Sequence, residues 1–263
     1  MSPKKRFILA GVFGPGLFLA LIGNCFWPGR EGPQGPEGPE LRGTLYGFVT
    51  LIKANGDQPA DRSGVRVSAD WSWAATQTDS AGEWAFSRAE TGIYTLTFSK
   101  DGYGTSKEVQ VQFVGGGDRN IGTVNLCEPP AFFIDSVWTR VPKTGDTNSV
   151  YLGVRASDSL VHGQYKVILF FSHGASVSRD PASYLAASPE NTFFIGGIDS
   201  TGIRLQPVAF ASAGFQSGDT LYTVAYAASA GSENSGYLDL STNRFVYTNI
   251  DTLPSNRLVF VVP

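Results

Sequence analysis

Thr76-Gln77-Thr78-Asp79-Ser80-Ala81-Gly82-Glu83-Trp84-Ala85-Phe86 is the stretch on which the reading of this chain turns. A short carboxylate such as Asp79 hydrogen-bonds the amides of its own turn, and Gly82 supplies the positive φ that the turn needs. Trp84 and Phe86, two residues apart, then share one face of a strand. The segment reads as strand, tight turn, strand.

The pattern continues on both sides. Leu45 to Ile52 alternates, with Tyr46, Phe48 and Thr50 opposing Leu45, Val49 and Leu51. Asn55-Gly56-Asp57 and Pro59 carry turn chemistry, after which Val65, Val67 and Ala69 share one face and Arg66, Ser68 and Asp70 the other. Gly92 to Phe98 is a further strand, closed by Lys100-Asp101-Gly102-Tyr103. Val109, Val111 and Phe113 mark the next, and Ile121 to Leu126 ends the unit. Chain-wide composition agrees. The 263 residues include 31 Gly and 15 Pro, and beyond the N-terminal segment no stretch keeps apolar residues at i, i+3, i+4, i+7 for long. The body is expected to be all-β.

Gly47-x-Val49, Gly64-Val65-x-Val67, Thr78-Asp79-x-x-Gly82-x-Trp84-x-Phe86, Gly92-x-Tyr94-x-Leu96 and Gly102-Tyr103, in that order, resemble the carboxypeptidase regulatory-like domain. The resemblance covers about 80 residues and implies a seven-stranded sandwich of transthyretin-like topology, of the kind common in bacterial surface lipoproteins. Tyr94 and Phe86 read as core. The family's name refers to a neighbouring domain in other proteins. A zinc peptidase needs His and carboxylate ligands around an open coordination position, whereas the two histidines here, His162 and His173, both fall outside this unit.

After Cys127 and Glu128-Pro129-Pro130 a second series begins. Its candidate strands start at Phe133, Ile134 and Val137-Trp138, followed by Val150–Val154 and by Tyr165–Phe171, whose unbroken apolar run marks a central strand with both faces covered. Thr192–Ile195, Gly202–Leu205, Leu221–Ala227, Arg244–Tyr247 and Leu258–Val262 complete the set, with a long loop over Ser178–Asn191. Spacing and turns suggest a second sandwich. Ser217-Gly218-Asp219-Thr220-Leu221-Tyr222-Thr223-Val224-Ala225-Tyr226-Ala227-Ala228 resembles the tyrosine-corner strand of fibronectin type III domains. That likeness implies a backbone bond from Tyr222 and a core position for Val224.

Ahead of both units lies a different kind of sequence. Lys4, Lys5 and Arg6 precede an apolar run from Phe7 to Ile22, interrupted by Gly14-Pro15-Gly16 and followed by Cys25. A membrane-spanning helix needs about twenty apolar residues, so this shorter run fits an export signal better than a permanent anchor. Leu21-Ile22-Gly23-Asn24 before the Cys resembles the bacterial lipobox at Ile22 and Gly23 and departs from it at Asn24. The resemblance implies cleavage before Cys25 and a lipid on its thiol. An uncleaved N-terminal anchor is the alternative, and either places the body outside the inner membrane. Residues 29–40 are four Gly-X-Y triplets, too few to hold a collagen triple helix alone. At about 3.1 Å per residue, residues 26–43 make a polyproline-type stalk of at most roughly 50 Å. The expected organisation is a signal peptide (1–24), lipidated Cys25 with a collagen-like linker (25–43), a carboxypeptidase regulatory-like sandwich (44–127) and an Ig or fibronectin type III-like sandwich (128–263).

With Cys25 lipidated, Cys127 has no disulfide partner and serves as a small apolar filler; a Cys25–Cys127 bridge is the alternative. Loss of Lys4, Lys5 and Arg6 takes the formal charge from −3 to −6, without the basic stripe of a nucleic-acid binder. No catalytic residue, metal ligand set or cofactor motif is read. His173 has Ser172 and Ser176 nearby but no strained nucleophile turn, His162 reads as loop, and Asp199–Gly202 and Asp239–Asn243 read as turns rather than calcium loops. Trp71 and Trp73 are the candidate ligand-binding residues. Their two rings at i and i+2 either stack on sugar, as in the related starch-binding sandwiches, or point inward. The chain is thus expected to be a non-enzymatic, lipid-anchored protein of the outer membrane or cell surface. Its partners would be the membrane and a cell-surface protein or polysaccharide.

Overall fold

Seven strands form the first half of the body: β1 (Arg42–Ile52), β2 (Arg66–Ala69), β3 (Ala75–Gln77), β4 (Glu83–Glu90), β5 (Gly92–Ser99), β6 (Ser106–Phe113) and β7 (Asp118–Cys127). They are taken from a computed structural model that describes residues 41–70, 75–141, 146, 148–157, 163–194, 200–231 and 235–263. One sheet has the order β4-β1-β7, with β7 parallel to β1, and the other has the order β3-β2-β5-β6. Period-two alternation sends Leu45, Val49 and Leu51 of β1 inward against Val67 of β2 and Leu96 and Phe98 of β5. Trp84 sits among them, edge-on to Phe86 and Phe98 at 5.6 Å each. On β6, Gln110 takes φ +57 where Val109 and Gln110 together oppose Thr95 of β5, and this bulge returns Val111 and Phe113 to the core face.

The β3–β4 turn behaves as its sequence suggests. Asp79 Oδ1 accepts from the amides of Ala81 and Glu83, both at 2.9 Å, and Gly82 has φ +86. Thr78 adds a tie, donating to the Arg62 carbonyl at 2.6 Å and accepting from the Val65 amide. Tyr94 is buried and its hydroxyl donates to the Glu90 carbonyl.

The second half contains β8 (Ile134–Thr139), β9 (Val150–Ala156), β10 (Gly163–Ser172), β11 (Ala186–Phe194), β12 (Ser200–Leu205), α1 (Pro207–Ser212), β13 (Thr220–Ala228), β14 (Tyr237–Asp239), β15 (Arg244–Val246) and β16 (Leu258–Val261). A three-stranded sheet, β12-β9-β8, faces a four-stranded one, β11-β10-β13-β16, and β14-β15 is a separate hairpin. The core between the sheets takes Val167, Leu169 and Phe171 from β10 and Leu221, Ala225 and Ala227 from β13. Alternate residues on the same strands, Ile168, Phe170, Val224 and Tyr226, enter an outer cluster with Val177, Tyr184 and Ile250. Both faces of β10 are covered, which is why its sequence loses alternation.

Several features differ from expectation, among them that Ser200–Gly202, read as part of a turn, opens β12. The segment expected as a loop over Ser178–Asn191 enters β11 at Ala186, and Pro189 is tolerated because β11 is an edge strand. The six-residue helix α1 starts at Pro207, whose missing N–H costs nothing at a first turn. Val224 is buried, but in the outer cluster rather than between the sheets.

A Cβ on Gly82 would stand 2.3 Å from the Val49 carbonyl oxygen, in a φ region that side chains avoid. Gly82→Ala is expected to lower unfolding free energy by about 2 kcal/mol or more in urea titrations.

Candidate functional site

Gly102 (φ +81) and the Tyr103 N–H bond to the Lys100 carbonyl (3.0 Å) reverse the chain after β5. The reversal delivers buried Gly104 to the backbone of the second sandwich. A Cβ there would lie 2.9 Å from the carbonyl carbon and oxygen of Thr248 and 3.0 Å from Cβ of Asn249. A second close approach occurs at Gly231, where a Cβ would stand 3.0 Å from Cys127 Sγ and 3.1 Å from Ile52 Cδ1. Polar contacts join the same surfaces. Ser106 Oγ donates to the Gly236 carbonyl at 2.8 Å, Cys127 Sγ to that of Gly231 at 3.3 Å, and the Ala230 amide to that of Ala54 at 3.2 Å. Lys107 Nζ stands 4.6 Å above the Tyr237 ring. Residues Glu40–Pro263 accordingly form one compact unit.

Beside this joint opens a cleft of about 640 Å³, walled by Tyr103 and Thr105 on one side and by Arg179, Asp180, Tyr226 and Tyr247 on the other. Arg179 is held by distant segments: Nη1 donates to the carbonyls of Ile250 (3.4 Å) and Asp251 (3.1 Å), and its amide to the hydroxyl of Tyr226 on β13 (3.4 Å). The Asp180 carboxylate accepts from the Ala182 amide at 2.9 Å. Thr248 lines the cleft as well, and its buried Oγ1 has no hydrogen-bond partner. Burial pushes the pKa of both the Tyr226 and Tyr247 phenols up, and for Tyr226 the nearby Arg179 works against it.

Under the cleft the tyrosines form one ring-packed group. Phe170 meets Tyr184, Tyr226 and Tyr247 edge-on at 4.9, 5.5 and 5.8 Å. The Tyr184 hydroxyl donates to the Phe245 carbonyl, and Arg244 lies over its ring while Nη1 donates to the Pro181 carbonyl at 2.9 Å. Tyr222, whose likeness to a tyrosine corner implies a backbone bond, is half-buried against this cluster. The tyrosine hydroxyl that donates to backbone here is that of Tyr184.

The residues singled out in the sequence fare unevenly. Cys25, Trp71 and Trp73 lie outside the described residues, as does His162. Cys127 is fully buried at the joint, in the filler position expected of it. His173 is exposed, with Nδ1 3.3 Å from the Thr220 carbonyl and its ring 5.6 Å from Phe215, so the neighbouring serines do not engage it. Asp239 accepts from Ser241 and Thr242 across the β14–β15 turn, bonds that hold its carboxyl below the usual range. Among the described residues no group of three or more His, Cys, Asp or Glu side chains is placed to hold a metal. The cleft itself was not legible beforehand, since Tyr103, Arg179 and Tyr247 come from three loops without a shared motif.

No protein-family profile matches the sequence, and no curated protein does either. Among solved structures, a "putative carbohydrate binding protein" from Bacteroides uniformis ATCC 8492 is 13% identical over 85% of this chain and 100% of that one, with a TM-score of 0.29. A DUF3823 family protein from Bacteroides ovatus ATCC 8483 is 14% identical over 81% and 98%, with a TM-score of 0.25. A type II cohesin–X-dockerin complex from Acetivibrio cellulolyticus is 20% identical over 32% of this chain, with a TM-score of 0.29; the match spans only 56% of that chain. Likeness at this level assigns neither a family nor a ligand. The all-β architecture rests on the strands themselves.

Two measurements probe this region. Gly104→Val places a branched side chain against the Thr248 carbonyl, and is expected to split a single urea transition into two as the sandwiches separate. Burial first, then the neighbouring Tyr247, raises the Tyr184 ionisation to about 12, with Arg244 opposing. A raised phenol contributes stability that is complete below about pH 10 and lost as pH rises through the folded value. Unfolding free energy is therefore expected to fall between pH 10 and 12, and to fall less steeply in Tyr184→Phe.

Proposed function

We propose that this chain is a non-catalytic surface lipoprotein whose paired β-sandwiches serve as a rigid spacer or docking body. The observation that carries the reading is an order of segments: a basic tip at Lys4–Arg6, an apolar run, Cys25, a Gly-Pro tract, and then a folded body. In this reading residues 1–24 are removed, Cys25 becomes the acylated N-terminus, and residues 26–43 stand the body off an outer membrane or cell surface. Residues 44–127 are a carboxypeptidase regulatory-like sandwich. The positive φ of Gly64, Gly82 and Gly102, at three of the glycines that carry that resemblance, supports the assignment. Residues 128–263 are fibronectin type III-like, supported by seven strands split three and four between two sheets. Carbohydrate binding through Trp71 and Trp73 is the second reading, favoured by two indoles at i and i+2.

Intact mass of the protein from its native membrane is expected to give an N-terminus at Cys25 carrying acyl chains. Cys25→Ala is expected to leave an uncleaved precursor or release the body from the membrane. Unchanged processing together with unchanged membrane retention would refute the proposal.

A further inference from the structure

We propose that the cleft between the two sandwiches binds the ring of a neutral sugar. Its volume of about 640 Å³ falls in the range of small-molecule sites, which combine aromatic walls with a few fixed polar groups. Tyr103 on one wall and Tyr247 on the other are half-buried rings, each held from behind, Tyr103 by the first core and Tyr247 by the outer cluster of the second sandwich. A sugar presents an apolar C–H face that packs on such a ring and a rim of hydroxyls that both donate and accept.

The polar groups match that rim. Arg179 spends Nη1 on backbone carbonyls, and its Nε and Nη2 have no protein partner among the described residues. Asp180 spends Oδ1 on the Ala182 amide, and its Oδ2 has none either. A donor pair and an acceptor on adjacent residues suit two neighbouring hydroxyls. These are also the charged side chains lining the cleft, and they cancel. With one charge of each sign the lining carries no net charge and offers no net attraction to an anion or a cation, which suits a neutral ligand. The proposal depends neither on lipid anchoring nor on Trp71 and Trp73.

The test is calorimetric titration of the full chain, in a detergent without a sugar headgroup, with glucose, galactose, mannose, N-acetylglucosamine, their short oligomers and glucuronate. At least one neutral saccharide is expected to bind, and to bind more tightly than glucuronate. Affinity is expected to fall about tenfold or more in Tyr103→Ala, which removes a stacking ring, and in Asp180→Asn, which keeps the Ala182 bond but replaces the free acceptor with a donor. Asp180 is exposed, so that variant keeps the fold if Tyr103→Ala does not. No binding of any neutral saccharide, a preference for glucuronate, or unaltered affinity in Asp180→Asn would each overturn the proposal.

Discussion

The body depends on close approach at two glycines, to backbone at Gly104 and to side chains at Gly231. Gly104 lies against Thr248 and Asn249, and Gly231 against Cys127 and Ile52, with no room for a β-carbon at the first and little at the second. Tandem domains ordinarily move relative to each other unless their interface is large and apolar. Here the shortness of the contact compensates for its size. Among the described residues three hydrogen bonds cross it, one between backbone groups and two from the Ser106 and Cys127 side chains to backbone carbonyls, where an ordinary neutral bond is worth about 1 kcal/mol net. The cleft opens beside that joint, with Tyr103 and Thr105 on one wall and Arg179, Tyr226 and Tyr247 on the other.

The second sandwich supports that wall through an unusual distribution of its apolar residues. A sheet in a two-layer sandwich normally buries one face, but β10 and β13 bury both. The additional cover is the Val177–Tyr184 stretch and the segment around Tyr247 and Ile250, pinned by Arg179 and Arg244 through backbone carbonyls. Loops ordinarily ride on the surface and move. These are nailed to a sheet by aromatic edges, which makes them suitable for presenting side chains at defined positions.

Legibility in the sequence followed the range of the interactions. Where a residue's role is decided within its own turn or strand, as for Asp79, Gly82, Val65 or Trp84, the reading and the structure agree, because alternation and turn chemistry are local. Tyr165–Phe171 was legible as a central strand for the same reason, though not what covered its outer face. Failures appear where partners are distant. Pro189 looked like loop, since nothing in its neighbourhood says that its strand lies at an edge. Tyr222 and Tyr184 are both tyrosines beside turns, and only the fold decides that Tyr184 reaches Phe245, sixty-one residues away. Gly104 and Gly231 resemble any other turn glycine until the surfaces they bring together are known.

The joint also carries an energetic signature. Asn249 is wholly buried; its Nδ2 donates to Ser229 Oγ at 3.0 Å, but its Oδ1 accepts nothing, and the adjacent Thr248 Oγ1 is unpartnered too. Each such atom costs about 1–3 kcal/mol of desolvation. Folding alone would favour apolar residues of similar shape at both positions. These two polar atoms on consecutive residues, one of them on a residue in the wall of the cleft, place that cost at the joint, as the buried Trp84 Nε1 and Thr223 Oγ1 do elsewhere in the body. Close approach at Gly104 sets Thr248 and Asn249 against the first sandwich whether or not their oxygens are satisfied, and it puts Thr248 in the wall of the cleft.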